Sequence, residues 1–208
     1  MKALILVDIQ KDFLPGGSLE VKNGDEVVPV ANELQKYFEL VVATQDFHPE
    51  DHSSFAANHE GKQVGERVEI KGLEQILWPV HCVQGTAGAE FADELNTSKV
   101  HKIFKKGTES DIDSYSSFYD NGHKRSTGLA AFLKAEGVQR VYIVGLAADV
   151  CVKFTALDAL KEGFKTIVVK DGTRAVNLQK GDEDKAMEEL ISRGVQIKNS
   201  KEIMKALS

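Results

Sequence analysis

Six short apolar runs recur along the chain and define its predicted architecture. Four are strongly aliphatic, at 3–7, 40–43, 141–145 and 166–169, and two weaker ones lie at 100–104 and 195–197. Apolar and polar residues do not alternate regularly within these runs. Such continuous runs are typical of strands that are buried on both faces. The pattern therefore predicts a mainly parallel sheet of six strands.

Helical patterns lie between these runs. Residues 126–136 and 182–193 each place their apolar side chains on one face of a helix. Three times a helical pattern ends in a glycine that leads into a strand, at Gly137, Gly163 and Gly194, where a left-handed residue ends a helix at little cost. These units predict a doubly wound α/β fold, a Rossmann-type three-layer arrangement with helices on both faces of the sheet.

Two long segments, 45–98 and 106–125, do not fit this alternation. Loops of this length are uncommon in compact domains unless they carry function. The first segment holds four of the six histidines, the only tryptophan and one of the two cysteines, Cys82. The chain has 208 residues and 42% hydrophobic content, so we expect a single domain over 1–208 with functional loops at these two places.

Charge and cysteine content narrow the class of protein. The formal net charge of -6 argues against binding to nucleic acid or to an anionic membrane, and suits a protein with a small-molecule ligand. Two cysteines make no disulfide framework, and the apolar start ends at Asp8 without a signal-peptide cleavage site. With no apolar run of about 18 residues, we expect a cytoplasmic location. The sequence leaves the oligomeric state open, a homo-oligomer included.

Polar residues follow the predicted strands where each strand ends. Asp8 follows the first, Asp46 the second and Lys106 the third, while the segment from Ala147 to Cys151 follows the fourth. In open α/β sheets, ligands bind beyond the carboxyl ends of the strands. We therefore expect two carboxylates, a lysine and a cysteine to meet at one edge of the sheet.

Cys151 at this edge is either a nucleophile or a small core residue. Asp149 could cap a helix that extends to about residue 162, which would place Cys151 in its first turn and lower the pKa of the thiol. Asp8 could accept the thiol proton, and Lys106 could stabilise the thiolate. The backbone N–H groups of Ala147 and Cys151 could bind an oxyanion. The position of Cys151 at the edge of the sheet favours the role of nucleophile.

A second cluster in the first loop has the character of a metal site. In an extended segment, Asp46 and His48 project to the same side, and His52 and His81 are candidates to complete the set. Carboxylate and imidazole ligands suit zinc, manganese or ferrous iron. Cys82 has the surroundings of a structural residue. His59, His101 and His123 have no partner pattern, so we interpret them as surface or hydrogen-bonded residues.

Taken together, these residues resemble the nicotinamidases (pyrazinamidases) of the cysteine hydrolase superfamily that also contains isochorismatases. Six motifs carry the resemblance in order through nearly the whole chain: DIQKDF from Asp8, TQDFHP around Asp46, WPVHCVQGT from Trp78, KGT from Lys106, DSYSSFYDNG around Tyr115 and GLAADVCV ending after Cys151. Any one of these motifs would be weak evidence, but the ordered set is highly specific.

The resemblance implies a role for each matching residue. Asp8, Lys106 and Cys151 correspond to a catalytic triad, with Ala147 and Cys151 at the oxyanion hole. Asp46, His48 and His81 correspond to ligands of one divalent metal ion, with zinc expected first and iron or manganese as alternatives. Phe13, Trp78 and Tyr115 correspond to the wall of a pyridine pocket. The family also implies a cis peptide bond between Leu146 and Ala147.

The implied reaction is hydrolysis of nicotinamide to nicotinate and ammonia through a cysteine thioester, in NAD salvage, with activity on pyrazinamide as well. Two features depart from the family: Ala148 stands where threonine is frequent, and the spacing to His52 leaves that residue unassigned. A carbamoyl or ureido substrate is the main alternative. Isochorismate hydrolysis is disfavoured, because relatives with that activity lack the cysteine. A metal-binding or regulatory protein without turnover is the alternative from another class.

Overall fold

The computed structural model describes residues 1–208. The chain forms eight strands: β1 (Lys2–Val7), β2 (Leu40–Asp46), β3 (Arg67–Ile70), β4 (Leu73–Ile76), β5 (Lys102–Lys106), β6 (Arg140–Leu146), β7 (Lys165–Arg174) and β8 (Gln196–Lys198). Five α-helices accompany them: α1 (Val27–Leu34), α2 (Leu129–Ala135), α3 (Cys151–Lys161), α4 (Asp182–Arg193) and α5 (Ser200–Leu207). None of these helices is long and apolar enough to cross a membrane.

Six of the strands form one parallel sheet in the order β5-β2-β1-β6-β7-β8. The chain moves outward from β1 to β2 and β5, then returns to β6 on the other side of β1 and continues to β8. The predicted six-stranded, doubly wound sheet is confirmed. Its order reverses between β1 and β6, which is where ligands bind in sheets of this kind.

Alternate residues of each strand enter two separate cores. In β1, Ala3, Ile5 and Val7 pack on the face that α2, α3 and α4 cover. Leu4 and Leu6 pack on the opposite face, which α1 and α5 cover. Because side chains alternate between the two faces of a strand and both faces are buried, the strand is an unbroken apolar run.

The helix ends follow the glycine pattern. Gly137, Gly163 and Gly194 all have positive φ angles, of 69°, 92° and 101°, at the ends of α2, α3 and α4. The predicted helix at 182–193 coincides with α4. The predicted helix at 126–136 is shorter than expected and begins at Leu129, because Gly128 before it has a left-handed φ of 87°.

The first long loop, 45–98, contains an element that the sequence pattern did not predict. Strands β3 and β4 pair as an antiparallel hairpin, and Lys71 and Gly72 at its turn have φ angles of 53° and 79°. Two positive φ angles suit the tight turns that join such strands. The second segment, 106–125, contains no helix or strand beyond the end of β5.

Truncation of a buried aliphatic side chain tests whether this face of β1 is covered. Ile5→Ala should lower the free energy of unfolding by about 2–5 kcal/mol, because it leaves a cavity under the sheet. Ile191→Ala is the matched control, since Ile191 is 59% exposed on α4, and should change the same quantity by less than about 0.5 kcal/mol. Urea unfolding of both variants measures the difference. Equal effects would contradict this placement.

Candidate active site and metal centre

A buried lysine lies where the predicted catalytic and metal residues meet. Lys106, the last residue of β5, is 2% exposed, and its Nζ lies 2.9 Å from Asp8 Oδ2 and 2.8 Å from Asp46 Oδ1. The same ammonium donates to the Ser114 carbonyl oxygen at 2.9 Å and lies 3.5 Å from Cys151 Sγ. Burial alone would lower the pKa of Lys106, but Asp46 and Asp8 hold it well above 10.5. The lysine is therefore a fixed positive charge.

Asp8 follows β1 directly and has a positive φ of 48°. Its carboxylate is fully buried and accepts a hydrogen bond from Thr44 Oγ1 at 2.7 Å. Burial raises the pKa of Asp8 above the ordinary 3.8, and the charge of Asp46 adds to this, while Lys106 and Thr44 oppose it. A carboxylate with a raised pKa is a better proton acceptor than an exposed one.

Cys151 is the first residue of α3 and is buried. Burial raises the pKa of its thiol well above 9.0, and Asp8 and Asp46 add to the shift, whereas Lys106 opposes it. The expected lowering of this pKa is therefore wrong, because loss of solvation outweighs the nearby positive charge. A thiol in this state needs a base beside it.

Asp149 does not cap α3 as predicted. The residue before the helix is Val150, and no side chain caps the first turn. Both carboxylate oxygens of Asp149 instead accept backbone hydrogen bonds, from Val176 N at 2.9 Å and Asn177 N at 2.8 Å. The carboxylate thus holds the segment after β7 against the loop that precedes Cys151.

That loop presents free backbone donors. The Leu146–Ala147 peptide bond is cis, as the resemblance implies. The N–H groups of Ala148, Val150 and Val152 donate to backbone carbonyls, whereas those of Ala147 and Cys151 make no backbone hydrogen bond. These are the two donors that the sequence predicts for an oxyanion hole.

Three predicted metal ligands converge beside Lys106. Asp46 Oδ2 lies 3.1 Å from His48 Nε2 and 3.5 Å from His81 Nε2. The other ring nitrogen of each histidine is close to a backbone carbonyl, with His48 Nδ1 2.9 Å from Gly107 O and His81 Nδ1 2.7 Å from Pro79 O. Such contacts fix the tautomer that leaves Nε2 free to bind a metal.

The chemistry of this cluster fits a divalent cation. His48 Nε2 is buried, and although Asp46 Oδ2 lies 3.1 Å away, the geometry makes no hydrogen bond, which is costly unless another group binds this nitrogen. Burial alone would raise the pKa of Asp46, but His48 and Lys106 hold it well below 3.8, so it is a carboxylate. Two imidazoles and one carboxylate with open positions form a ligand set that zinc accepts.

His52 lies outside this three-residue cluster. Its ring is 4.2 Å from that of His48 between centroids, and its nitrogens contact Ser54 Oγ at 2.7 Å and Ile112 O at 3.3 Å. Burial and the charge of His48 lower the pKa of His52 to about 4, so it is a neutral neighbour of the cluster.

The predicted aromatic residues line a cavity that opens onto the cysteine and the metal cluster. The cavity is partly open to solvent, and eight of its eleven lining residues are hydrophobic. Its lining includes Phe13, Trp78 and Tyr115 together with Asp46, His81, Ala147 and Cys151. Trp78 Nε1 donates to Tyr115 Oη at 3.3 Å, so the two rings are held edge to face. The apolar, aromatic lining suits a small flat ring.

Two further residues, for which the sequence analysis predicts no functional role, position the ligands. The Gln10 side chain accepts from Asp46 N and donates to Asp46 O, both at 2.8 Å, so it brackets the backbone of that residue. Asp12 Oδ2 accepts from Cys82 N at 2.7 Å, next to His81. Both belong to the DIQKDF motif, and polar side chains in the first few residues after a buried strand are the signal that could have indicated them.

Comparison with known proteins identifies the family. The isochorismatase domain family matches residues 2–202, so the chain belongs to this family of α/β hydrolases. A curated nicotinamidase of Acinetobacter baylyi is 44% identical over 97% of this chain and 94% of its own length. On this evidence the chain belongs to the nicotinamidase group of that family.

Solved structures agree with this assignment. A nicotinamidase/pyrazinamidase of Acinetobacter baumannii is 46% identical, with a TM-score of 0.95 over 97% of each chain. A pyrazinamidase of Pyrococcus horikoshii, solved in complex with zinc, is 41% identical, with a TM-score of 0.78 over 95% of this chain and 98% of its own. The six-stranded α/β fold is therefore that of the family.

Gly107 provides a test of the metal cluster. A Cβ at this position would lie 2.3 Å from His48 Cε1 and 2.6 Å from His48 Nδ1, so Gly107→Ala must displace the histidine. We expect its zinc affinity to fall by about tenfold or more, as for loss of a group that orients a ligand. Competition with a chromophoric chelator measures this affinity.

Gly61→Ala is the matched control. Gly61 has a similar positive φ of 72°, against 62° for Gly107, but no atom within 4 Å of the added methyl. It therefore carries the backbone strain without the contact, and its zinc affinity should equal that of the unmodified protein. Equal zinc affinities in the two variants would contradict the assignment of His48 as a ligand.

Proposed function

We propose that this protein hydrolyses nicotinamide to nicotinate and ammonia through a thioester on Cys151, and that it also accepts pyrazinamide. The observation that carries the proposal is the position of the Lys106 ammonium, which contacts Asp8, Asp46 and Cys151 at once. It links the nucleophile and base to the metal cluster, beside an aromatic cavity. The names of the relatives support the same substrate class.

Binding would place a pyridine ring between Phe13, Trp78 and Tyr115, with its carboxamide toward Cys151. A divalent ion held by Asp46, His48 and His81 would supply a Lewis-acidic site that orients the ring nitrogen. Zinc is our first assignment, with iron and manganese as alternatives, and the zinc complex of the Pyrococcus relative supports it. The aromatic wall would limit access of bulk water to the reacting carbonyl, so that water enters beside Asp8.

The first half-reaction follows from the protonation states. The Cys151 thiol gives its proton to the ionised Asp8, and the sulfur attacks the carboxamide carbon while Lys106 stabilises the negative charge. The N–H groups of Ala147 and Cys151 donate to the oxyanion. Asp8 then protonates the leaving nitrogen, ammonia departs, and a thioester remains.

The second half-reaction reuses the same base. Asp8, ionised again, accepts a proton from water, and the resulting hydroxide attacks the thioester carbonyl. The tetrahedral intermediate collapses with release of the Cys151 thiolate, which takes back the proton from Asp8, and nicotinic acid leaves and ionises to nicotinate in water. The proposal assigns the whole reaction to one domain over 1–208 and places it in NAD salvage.

Ammonia release from nicotinamide, before and after metal chelation, is the direct test. Cys151→Ala should lower kcat by at least about 10³-fold, because it removes the nucleophile, while nicotinamide and zinc still bind. Cys82→Ala is the matched control, since Cys82 is also buried and lies outside the aromatic cavity, and it should retain activity. Adding back zinc, iron or manganese after chelation identifies the metal.

The outcomes separate the proposal from its alternatives. Ammonia release by Cys151→Ala at the rate of the unmodified protein would exclude a thioester intermediate. No release from metal-loaded protein would exclude nicotinamide as substrate, and carbamoyl and ureido compounds would be tested next. If the protein binds one metal ion per chain but hydrolyses no amide, the alternative of a metal-binding or regulatory protein is favoured.

The acid side of the pH profile tests the role of Asp8. Only ionised Asp8 accepts the thiol proton, so kcat/KM should fall as the pH falls through the pKa of this group. Because burial raises the pKa of Asp8, that fall should occur above the ordinary 3.8 of an aspartate. Rates measured from neutral to acid pH, with metal content checked at each point, provide the profile. A flat acid side down to pH 3.8 would contradict the assignment.

A further inference from the structure

A chain of three buried hydroxyl groups ends at Asp8. Thr155 Oγ1 lies 2.9 Å from Ser117 Oγ, Ser117 Oγ lies 3.3 Å from Thr44 Oγ1, and Thr44 Oγ1 lies 2.7 Å from Asp8 Oδ1. All four residues are fully buried. Thr155 belongs to α3, Ser117 to the loop after β5 and Thr44 to β2, and Asp8 follows β1. This hydroxyl chain therefore connects four separate parts of the site.

The direction of the hydrogen bonds in this chain follows from chemistry. An ionised carboxylate only accepts, so Thr44 must donate to Asp8. The Thr44 oxygen is then free to accept from Ser117, and the Ser117 oxygen to accept from Thr155. The Ser117 backbone N–H donates to Thr155 Oγ1 at 2.9 Å, which closes the far end. Every hydroxyl therefore points toward Asp8, and bonds aligned in this way strengthen one another.

The chain also distinguishes the two oxygens of Asp8. Oδ1 receives the hydroxyl donor, whereas Oδ2 lies 2.9 Å from the Lys106 ammonium, which also lies 3.5 Å from Cys151 Sγ. A proton arriving on Oδ1 would have to reverse the hydroxyl of Thr44 and those behind it. Oδ2, on the side of the nucleophile, is the oxygen left to accept the proton.

We propose that Thr44, Ser117 and Thr155 are positioning residues, which orient the Asp8 carboxylate so that Oδ2 exchanges the proton with Cys151. This inference rests on the proposed function of Asp8 as the base. Thr155 lies one helical turn after Cys151 in α3, so the same chain ties the helix of the nucleophile to the base. The titratable groups that face Asp8 are Lys106, Asp46, Cys151 and Cys82, and none of them belongs to the hydroxyl chain.

Variants that remove single hydroxyls test the proposal. Ser117→Ala should lower kcat for nicotinamide by about tenfold and Thr155→Val by about threefold, because each loses two hydrogen bonds and Ser117 lies nearer the carboxylate. KM should change by less than twofold, since none of the three lines the aromatic cavity. Thr155→Ser keeps the donor and should restore kcat. Because the loss of aligned donors destabilises ionised Asp8, the acid limb of kcat/KM should move to higher pH.

Thr166→Val is the matched control. Thr166 is buried in β7, in the same sheet as Thr44, but its hydroxyl donates to the Phe164 carbonyl and not to the hydroxyl chain. It should leave kcat and the acid limb unchanged. A lower thermal stability in Ser117→Ala and Thr155→Val, with unchanged kcat and acid limb, would overturn the proposal and leave these residues a purely structural role.

A measurement without substrate separates this inference from the proposed function. The rate at which iodoacetamide alkylates Cys151, followed by peptide mass against pH, should show an acid limb that moves upward in Ser117→Ala and not in Thr166→Val. If unmodified protein releases no ammonia but this shift is present, the nicotinamide proposal fails and the hydroxyl chain stands. If ammonia is released but neither profile shifts, the hydroxyl chain fails alone.

Discussion

The buried ammonium of Lys106 is the charge around which the site is built. A fully buried cation is strongly unfavourable unless carboxylates and carbonyl groups surround it closely. Here Asp8, Asp46 and the Ser114 carbonyl do so, within 2.9 Å. Asp46 and Lys106 are direct partners in the register of β2 and β5, so their side chains leave the sheet side by side. The charge that stabilises the sulfur of Cys151 therefore also holds the metal ligand and the base in place.

Much of this arrangement could be predicted from the chain. The six strands are continuous apolar runs because both faces of the sheet are covered, and a polar residue after such a run marks the functional edge. Asp8, Asp46, Lys106 and Cys151 were placed at that edge in this way. The resemblance then supplied what the pattern did not, namely the triad, the ligand set and the aromatic wall, and the structure brings these residues together. Their roles in the reaction remain predictions.

The rest depended on burial and on local backbone geometry that the sequence does not reveal. The pKa of Cys151 was expected to fall, but the depth of the thiol reverses the direction. Helix α1 was missed because Pro29 lies in its first turn, where proline is tolerated but resembles a break. Helix α5 has a capping box between Asn199 and Glu202, a signal that could have indicated it. The hairpin turn at Lys71 and Gly72 carries a weaker signal than asparagine–glycine would.

The central position of β1 also affects how the protein is made. This strand pairs with β2 on one side and with β6 on the other. Strand β6 begins only at Arg140, so it is synthesised long after β1. During translation, the first strand and Asp8 leave the ribosome long before their second neighbour exists, with one apolar face and one strand edge uncovered. Until β6 is added, the nascent chain therefore has an unpaired strand edge, a feature that favours aggregation. Synthesis of β6 and α3 is the step at which the chain gains both its closed sheet and its chemistry.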